Sequence, residues 1–334
     1  MESIFPKDMI TCQEWSMQAL NSVINLADRY KLERNAGISH TNVLDGKALF
    51  SIFYNSSTRT RASFMTAMTQ LGGETHTLNP GALQTSVGEA TKDTGAVLAR
   101  YGDAISVRYC FVKDKYGEGN YVLREYAKNG VPIINMEDDM YHPCQTLADW
   151  MTIRERFGAE GLRGKKFTIS WAYGNYIRPV AVPQSLVLMM TRLGMNVTLA
   201  HPKGFELDPN IINQAKTNAN QADGSFNITN DMDEAIEGAH VLYPKNWGPL
   251  SVMPDMKKAE DLQAPNKDWK MTQNRMKMAH KSAIYMHCLP CDRGLEVEDE
   301  VIDGPQSAVW DQAENRLHAQ KALLTMLIKN RTKP

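Results

Sequence analysis

Cysteine is scarce in this 334-residue chain, which has five, an odd number, scattered at Cys12, Cys110, Cys144, Cys288 and Cys291. So few thiols at such a length exclude a disulfide framework and point to a reducing compartment. Charge of either sign is also without excess. With 37 Lys plus Arg against 38 Asp plus Glu and a formal net charge of −1, nothing draws the chain broadly to nucleic acid or to an anionic membrane. No stretch approaches the ~18 uninterrupted apolar residues of a membrane-spanning helix, so insertion is excluded. The opening residues carry Glu2 and Pro6, have no arginine before Arg29 and lack an apolar core, which fits neither a signal nor a transit peptide; a cytoplasmic protein is expected. Internal repeats and low-complexity tracts are missing. So are G-x-G-x-x-G after the first strand and G-x-x-x-x-G-K-[ST], the usual fingerprints of dinucleotide and nucleoside triphosphate binding.

What the chain does have is 43% hydrophobic and 22% charged residues, an ordinary globular composition with material for about two domains of ~150 residues. Short β-rich runs alternate with longer segments of helical period, the pattern of mostly parallel sheets covered by helices. Strands are expected at 48–53, 104–108, 131–135, 166–170, 196–200, 225–229, 241–243 and 283–286. Helices are expected at 146–157, 185–193, 211–219, 232–239 and 314–328, the last with Leu317, Lys321, Leu324 and Ile328 on one packing stripe. The fold class is therefore α/β, with two doubly wound domains, each a mostly parallel sheet flanked by helices. The glycine-rich segment at 158–164 suggests a boundary near residue 150.

Three segments carry chemistry. The first, Ser57-Thr-Arg-Thr-Arg61, follows a buried strand and opens a helix whose Phe64, Met68 and Leu71 recur at helical spacing. The first amides of a helix lack intrahelical partners and sit at the positive end of its dipole, so hydroxyls and guanidinium groups there build a site for phosphate. From spacing alone, a plain helix cap with Arg59 and Arg61 in solvent competes evenly with that reading. The second segment, Tyr141-His-Pro-Cys-Gln145, follows a strand, where His142 and Gln145 can aim at one carbonyl oxygen; a structural histidine is the alternative. The third, Met286-His-Cys-Leu-Pro290, again follows a strand, with a buried thiol and a proline turn as its alternative.

Together and in this order, S-T-R-T-R, H-P-x-Q and H-C-L-P resemble the motifs of the aspartate and ornithine carbamoyltransferase family. The resemblance runs over nearly the whole chain, through residues 89–94, Arg108, residues 313–318 and Lys321, and the cysteine after His287 is similar to the ornithine branch. It implies a carbamoyl phosphate-binding domain at 1–150, to which the C-terminal helix 314–334 returns, an amine-acceptor domain at 151–313, and homotrimers with active sites shared between subunits. By position it assigns Ser57, Thr58, Arg59 and Thr60 to the phosphate of carbamoyl phosphate, Arg108 to both phosphate and carbonyl, and His142 and Gln145 to the carbamoyl group. Gln84 matches a residue that reaches a neighbour's site. Cys288, Leu289 and Arg316 match positions lining the carbamoyl and amine pocket, and Asn175, Lys245, Ser251, Met253 and Cys288 stand for acceptor binding.

The implied reaction is transfer of the carbamoyl group to the side-chain amine of L-ornithine, giving citrulline and phosphate, or its reverse. A neutral amine attacks the carbonyl carbon, and Thr60, Arg108 and His142 oppose the charge that grows on oxygen, with Cys288 beside them. Neither cofactor nor metal is implied. Cys288-Leu-Pro-Cys291 has the C-x-x-C spacing of zinc and redox sites, but zinc would need two further ligands and the other cysteines are scattered. Lys245 stands near where ornithine enzymes usually place an aspartate, and a cation there repels an α-ammonium and favours a carboxylate or an acylated amine. Lys-x-Trp-Gly at 245–248 and Ser-Trp-Ala-Tyr at 170–173 are similar to the N-acetylornithine branch. Against this, the stretch 135–142 is similar in its spacing to the ornithine branch, and its acids at 137–139 are able to receive an ammonium group. Ornithine therefore leads as acceptor, with N-acetylornithine, putrescine or another amine as the alternative, and a non-catalytic phosphate-ligand-binding paralogue as the reading of another class.

Overall fold

The computed structural model describes residues 6–111 and 115–329. The chain divides into two compact units, one made of residues up to Met151 together with those from Glu314 onward, the other of Thr152–Ala313. In chain order the elements are α1 (Met17–Asn35), β1 (Ala48–Phe53), α2 (Thr58–Leu71), β2 (Glu74–Leu78), α3 (Thr91–Tyr101), β3 (Ala104–Tyr109), α4 (Glu118–Tyr126), β4 (Ile133–Asp138) and α5 (Pro143–Phe157). There follow β5 (Lys166–Trp171), α6 (Ala181–Arg192), β6 (Asn196–Ala200), α7 (Pro209–Gln221), β7 (Ser225–Thr229), α8 (Met232–Ile236) and β8 (Val241–Lys245). The chain ends with α9 (Met256–Gln263), α10 (Gln273–Met278), β9 (Ile284–Tyr285), α11 (Asp299–Ile302) and α12 (Val309–Ile328).

Each unit holds one sheet, with strand order β2-β1-β3-β4 in the first and β7-β6-β5-β8-β9 in the second, and every pairing is parallel. Parallel strands covered by helices on both faces read as continuous apolar runs, which is why β1 and β3 were legible. In the first unit Ile52, Ile105, Val107 and Ile133 pack with Leu123 and Tyr126. In the second, Leu242 and Tyr285 pack with Met232, Ile236 and Val297. Each such side chain contributes roughly 1.5–3 kcal/mol on burial.

Some expected bounds move. β4 starts at Ile133 rather than 131 and runs on to Asp138, because Pro132 has no N–H for the ladder and contributes only its carbonyl, to Ile105 N–H at 2.9 Å. α12 begins at Val309, ahead of the expected 314. It is also buried on more than one face: Leu317 is only partly covered, whereas Arg316, His318, Gln320 and Lys321 are buried. The apolar stripe read from spacing therefore understates how much of this helix lies in the core.

Candidate active site

The first sheet runs from β1 to β2 on one side and to β3 on the other, so its topological switch point lies at the carboxyl ends of β1 and β3, where α/β sheets take their ligands. Phe53 at the end of β1 lies opposite Arg108 of β3. Beyond it the chain turns into α2, capped by Ser57, whose Oγ accepts from Thr60 N–H at 3.2 Å. Thr58, Arg59 and Thr60 form the first turn, and Phe64, Ala67, Met68 and Leu71 bury the helix behind them. Gly72 closes the helix at φ 87, where an added Cβ would lie 1.7 Å from Thr41 O. Arg61 does not stand in open solvent; its guanidinium lies 4.4 Å from the Phe53 ring centroid, a cation–π arrangement.

Arg316 of α12 ties the separate segments together. Its Nη1 donates to Gln145 Oε1 at 2.7 Å and its Nη2 to Thr60 Oγ1 at 3.0 Å. Burial holds its pKa below the ordinary arginine value, and the charge of Arg108 acts in the same direction. Gln145 is oriented in turn by Asp149, to whose Oδ1 its Nε2 donates at 2.8 Å. Arg108 is ion-paired with Glu137 of the neighbouring strand, and His142 Nε2 lies 3.5 Å from the same carboxylate. Thr60, Arg108, His142, Gln145 and Arg316 are all largely buried, so the guanidinium charges of Arg108 and Arg316 are strong and poorly screened. Gln84 is not part of the array: it lies exposed in a short 3-10 helix, Gln84–Val87.

The acids at 137–139 do not wait for an ammonium group. Glu137 holds Arg108. Asp138 accepts from Met140 N–H at 2.8 Å, from Tyr141 N–H, and from Asn120 Nδ2 at 2.7 Å. Asp139 accepts from the backbone of Gly117 and Asn120. Buried carboxylates take the nearest N–H groups because leaving their oxygens bare is costly. Burial pushes Asp138's carboxyl up to about 7 from 3.8. The folded chain then binds this proton more tightly than the unfolded one, so the stability Asp138 adds at low pH is lost as pH rises through that window. Asp138→Asn should therefore flatten the decline in thermal midpoint between about pH 4 and pH 7 relative to the wild type; an unchanged slope would count against the assignment.

The second sheet switches at β5 and β8, where Trp171 and Lys245 lie in register. Lys245 is 3% exposed. Its Nζ donates to Asn246 O at 2.8 Å, and among the described residues no carboxylate pairs with it. Asn175 is exposed, but its N–H donates to Asp292 Oδ2 at 2.7 Å, and Arg178 Nη2 reaches Asp292 Oδ1 at 3.2 Å. Cys288 and Leu289 are half-buried after His287, with Leu289 at φ 56. Ser251 is exposed, and Met253 lies against Gly248, where an added Cβ would stand 3.4 Å from its Sδ.

Cys291 has ligand-capable neighbours, since its Sγ lies with His287 and Glu296 in a group whose ligand atoms are within 4.8 Å of one another. Both ring nitrogens of His287 are already engaged, Nδ1 accepting from Leu289 N–H at 2.9 Å and Nε2 facing Glu296 Oε1 at 3.3 Å. Burial pushes the Cys291 thiol up. His287 and Glu296 are bonded to each other and to backbone N–H groups, while the Cys291 Sγ has the Tyr285 hydroxyl 4.0 Å away. Sequence reasoning missed Glu137 as the partner of Arg108, and Asp149, Asn246, Asp292 and Glu296 altogether. Only Asp149 left a readable signal, one helical turn after Gln145.

Two parallel α/β units, each gathering polar and charged side chains at the switch point of its sheet, define a doubly wound protein with its chemistry at the strand ends. The chain belongs to the aspartate/ornithine carbamoyltransferase family, and so to the transferases of ornithine carbamoyltransferase type. The family's carbamoyl-P binding domain matches residues 7–155 and its Asp/Orn binding domain matches residues 178–327. The anabolic ornithine carbamoyltransferase of Pyrococcus furiosus is 39% identical over 326 residues, 98% of each chain. A solved structure of ornithine carbamoyltransferase from Pyrococcus furiosus superposes with a TM-score of 0.86 at 36% identity, covering 99% of this chain and all of that one (100%). An acetylornithine transcarbamylase complexed with acetylcitrulline does so with a TM-score of 0.88 at 32% identity, covering 95% and 98%. No helix among the described residues is long and apolar enough to cross a membrane.

Proposed function

We propose that this protein moves the carbamoyl group of carbamoyl phosphate to the side-chain amine of an ornithine-type acceptor, releasing phosphate. The observation that carries this reading is Arg316 bound to both Thr60 and Gln145 beside the Arg108–Glu137–His142 group, an anion-ready array at one switch point. Thr60 Oγ accepts from Arg316, so its own hydroxyl hydrogen is left to donate to the carbamoyl oxygen. Gln145 accepts from Arg316 and donates to Asp149, which leaves its second amide hydrogen for the same group. Arg59, Ser57 and Thr58 at the start of α2 hold the phosphate.

A neutral amine nitrogen forms a bond to the carbonyl carbon, charge grows on oxygen against Thr60, Arg108 and His142, and the carbon–oxygen bond to phosphate then breaks as the amine passes its proton to the departing phosphate. Each such preorganised donor is worth ~100- to 1,000-fold in rate. Cys288 and Leu289 serve the acceptor side, with Asn175, Lys245, Ser251 and Met253. Gln84, exposed on its short helix, serves a neighbouring subunit in a cytoplasmic homotrimer; light scattering that finds a fully active monomer would refute that part.

Ornithine is the acceptor favoured by kinship. A second reading rests on Lys245: a buried ammonium with no carboxylate partner among the described residues calls for an anionic ligand, and among the described acceptor positions no free acid is left for an α-ammonium. It makes the acceptor an N-acylated ornithine, held by its carboxylate. A panel of ornithine, N-acetylornithine, N-succinylornithine and putrescine, scored by phosphate release, decides between them. Turnover of ornithine alone supports the first reading, turnover of acylated amines alone the second, and calorimetric binding of carbamoyl phosphate without turnover of any amine marks a non-catalytic paralogue.

A further inference from the structure

Glu296 is a carboxylate with no solvent exposure at all, 0% at the side chain, and the mechanism above does not use it. It is ringed by N–H groups from two separate strand-end loops. Its Oε1 accepts from Asn246 N–H at 2.8 Å and from His287 Nε2 at 3.3 Å, and its Oε2 accepts from Asp292 N–H at 2.7 Å. Burial alone would push this carboxyl up, but the His287 ring beside it and the two backbone N–H groups outweigh burial and bring it down to about 2. A buried carboxylate with three donors is fully satisfied, and it fixes whatever carries those donors.

The donors belong to the acceptor side. Asn246 directly follows Lys245 at the end of β8, and its carbonyl is the group that Lys245 Nζ grips. His287 directly precedes Cys288, and because Nδ1 accepts from Leu289 N–H, the ring's proton sits on Nε2 and is donated to Glu296. The same Nδ1 contact holds Leu289 at φ 56, a left-handed conformation that a branched aliphatic residue keeps only when its surroundings impose it. Asp292 extends the chain of contacts to the loop after β5, accepting from Asn175 N–H and Arg178.

Resting on the proposed carbamoyl transfer, we infer that Glu296 is the positioning residue of the acceptor site: one buried carboxylate sets the Lys245–Asn246 turn and the His287–Leu289 turn in register, with Asp292 fastening the loop after β5. It touches no substrate. Glu296→Gln keeps the volume but brings an NH2 group against donors that need an acceptor. The acceptor KM should rise ~10- to 100-fold while the dissociation constant of carbamoyl phosphate, measured by calorimetry, stays at its wild-type value. Glu296→Asp, with a carboxylate on a shorter stem, should recover part of the loss.

The 15N resonances of the His287 ring provide a readout independent of turnover, with Nε2 protonated in the wild type and its signal displaced in Glu296→Gln. If Glu296→Gln does not fold, Asp292→Asn replaces it, and should raise the acceptor KM while leaving carbamoyl phosphate binding intact. An unchanged acceptor KM, or equal losses for both substrates, overturns the inference. Should the wild type carbamoylate no amine, the carbamoyl-transfer reading falls by itself. The clamp is then decided by the ring resonances and by hydrogen exchange at Asn246 and Asp292: a proton on Nδ1, or exchange as slow in Glu296→Gln as in the wild type, overturns it.

Discussion

Arg59→Ala is expected to weaken carbamoyl phosphate binding by ~100-fold or more, because a guanidinium facing a phosphate in a confined site supplies bidentate, charge-assisted hydrogen bonds that nothing else in the first turn can copy. The thermal midpoint should barely move. Arg59 is half-buried in the first turn of α2, where alanine is the better helix former, and the Ser57 cap and the apolar face of the helix remain. Calorimetric titration with carbamoyl phosphate, paired with thermal unfolding, separates the two quantities. Wild-type affinity in a well-folded variant would remove the phosphate assignment.

Arg108→Gln should be damaging in two distinguishable ways. Turnover should fall ~1,000-fold through loss of a donor to the carbamoyl oxygen. The fold should also lose roughly 3–5 kcal/mol, because Glu137, whose side chain is 9% exposed, would be left as a buried carboxylate without its guanidinium. A second substitution resolves the two effects. In Arg108→Gln with Glu137→Gln, both charges are gone, so most of the stability should return while turnover stays low. If turnover returned along with stability, Arg108 would be a structural partner of Glu137 and nothing more.

How far the sequence could be read depended on whether a residue's surroundings are local. β1, β3 and β5 were legible because strands covered on both faces are largely apolar along their length. β2 was not, because Glu-Thr-His-Thr-Leu at the sheet edge is half-exposed and carries no apolar run. The segment at 57–61 was legible because helix capping and the dipole act within a single turn. Arg316 could be matched to a family position, but its bond to Thr60 spans 256 positions, and no spacing rule reaches that far. The acids at 137–139 misled for a related reason. Their charge is visible in the sequence, whereas the backbone N–H groups that occupy Asp138 and Asp139 appear only once the strand-end turn is built. Glu296 is the extreme case, an acid in an unremarkable stretch whose three donors come from the turn after β8 and from earlier in its own loop.

The return of α12 to the first unit bears on how the protein is made. Gln145 and Arg316 are 171 positions apart, and all of Thr152–Ala313, a compact unit by itself, is synthesised between them. On the ribosome the later-encoded unit has its whole sequence available before the earlier one does, and Thr60 and Gln145 meet Arg316 only once α12 has emerged. A chain that stopped before Arg316 would therefore keep its S-T-R-T-R segment but lack the guanidinium bonded to Thr60 and Gln145.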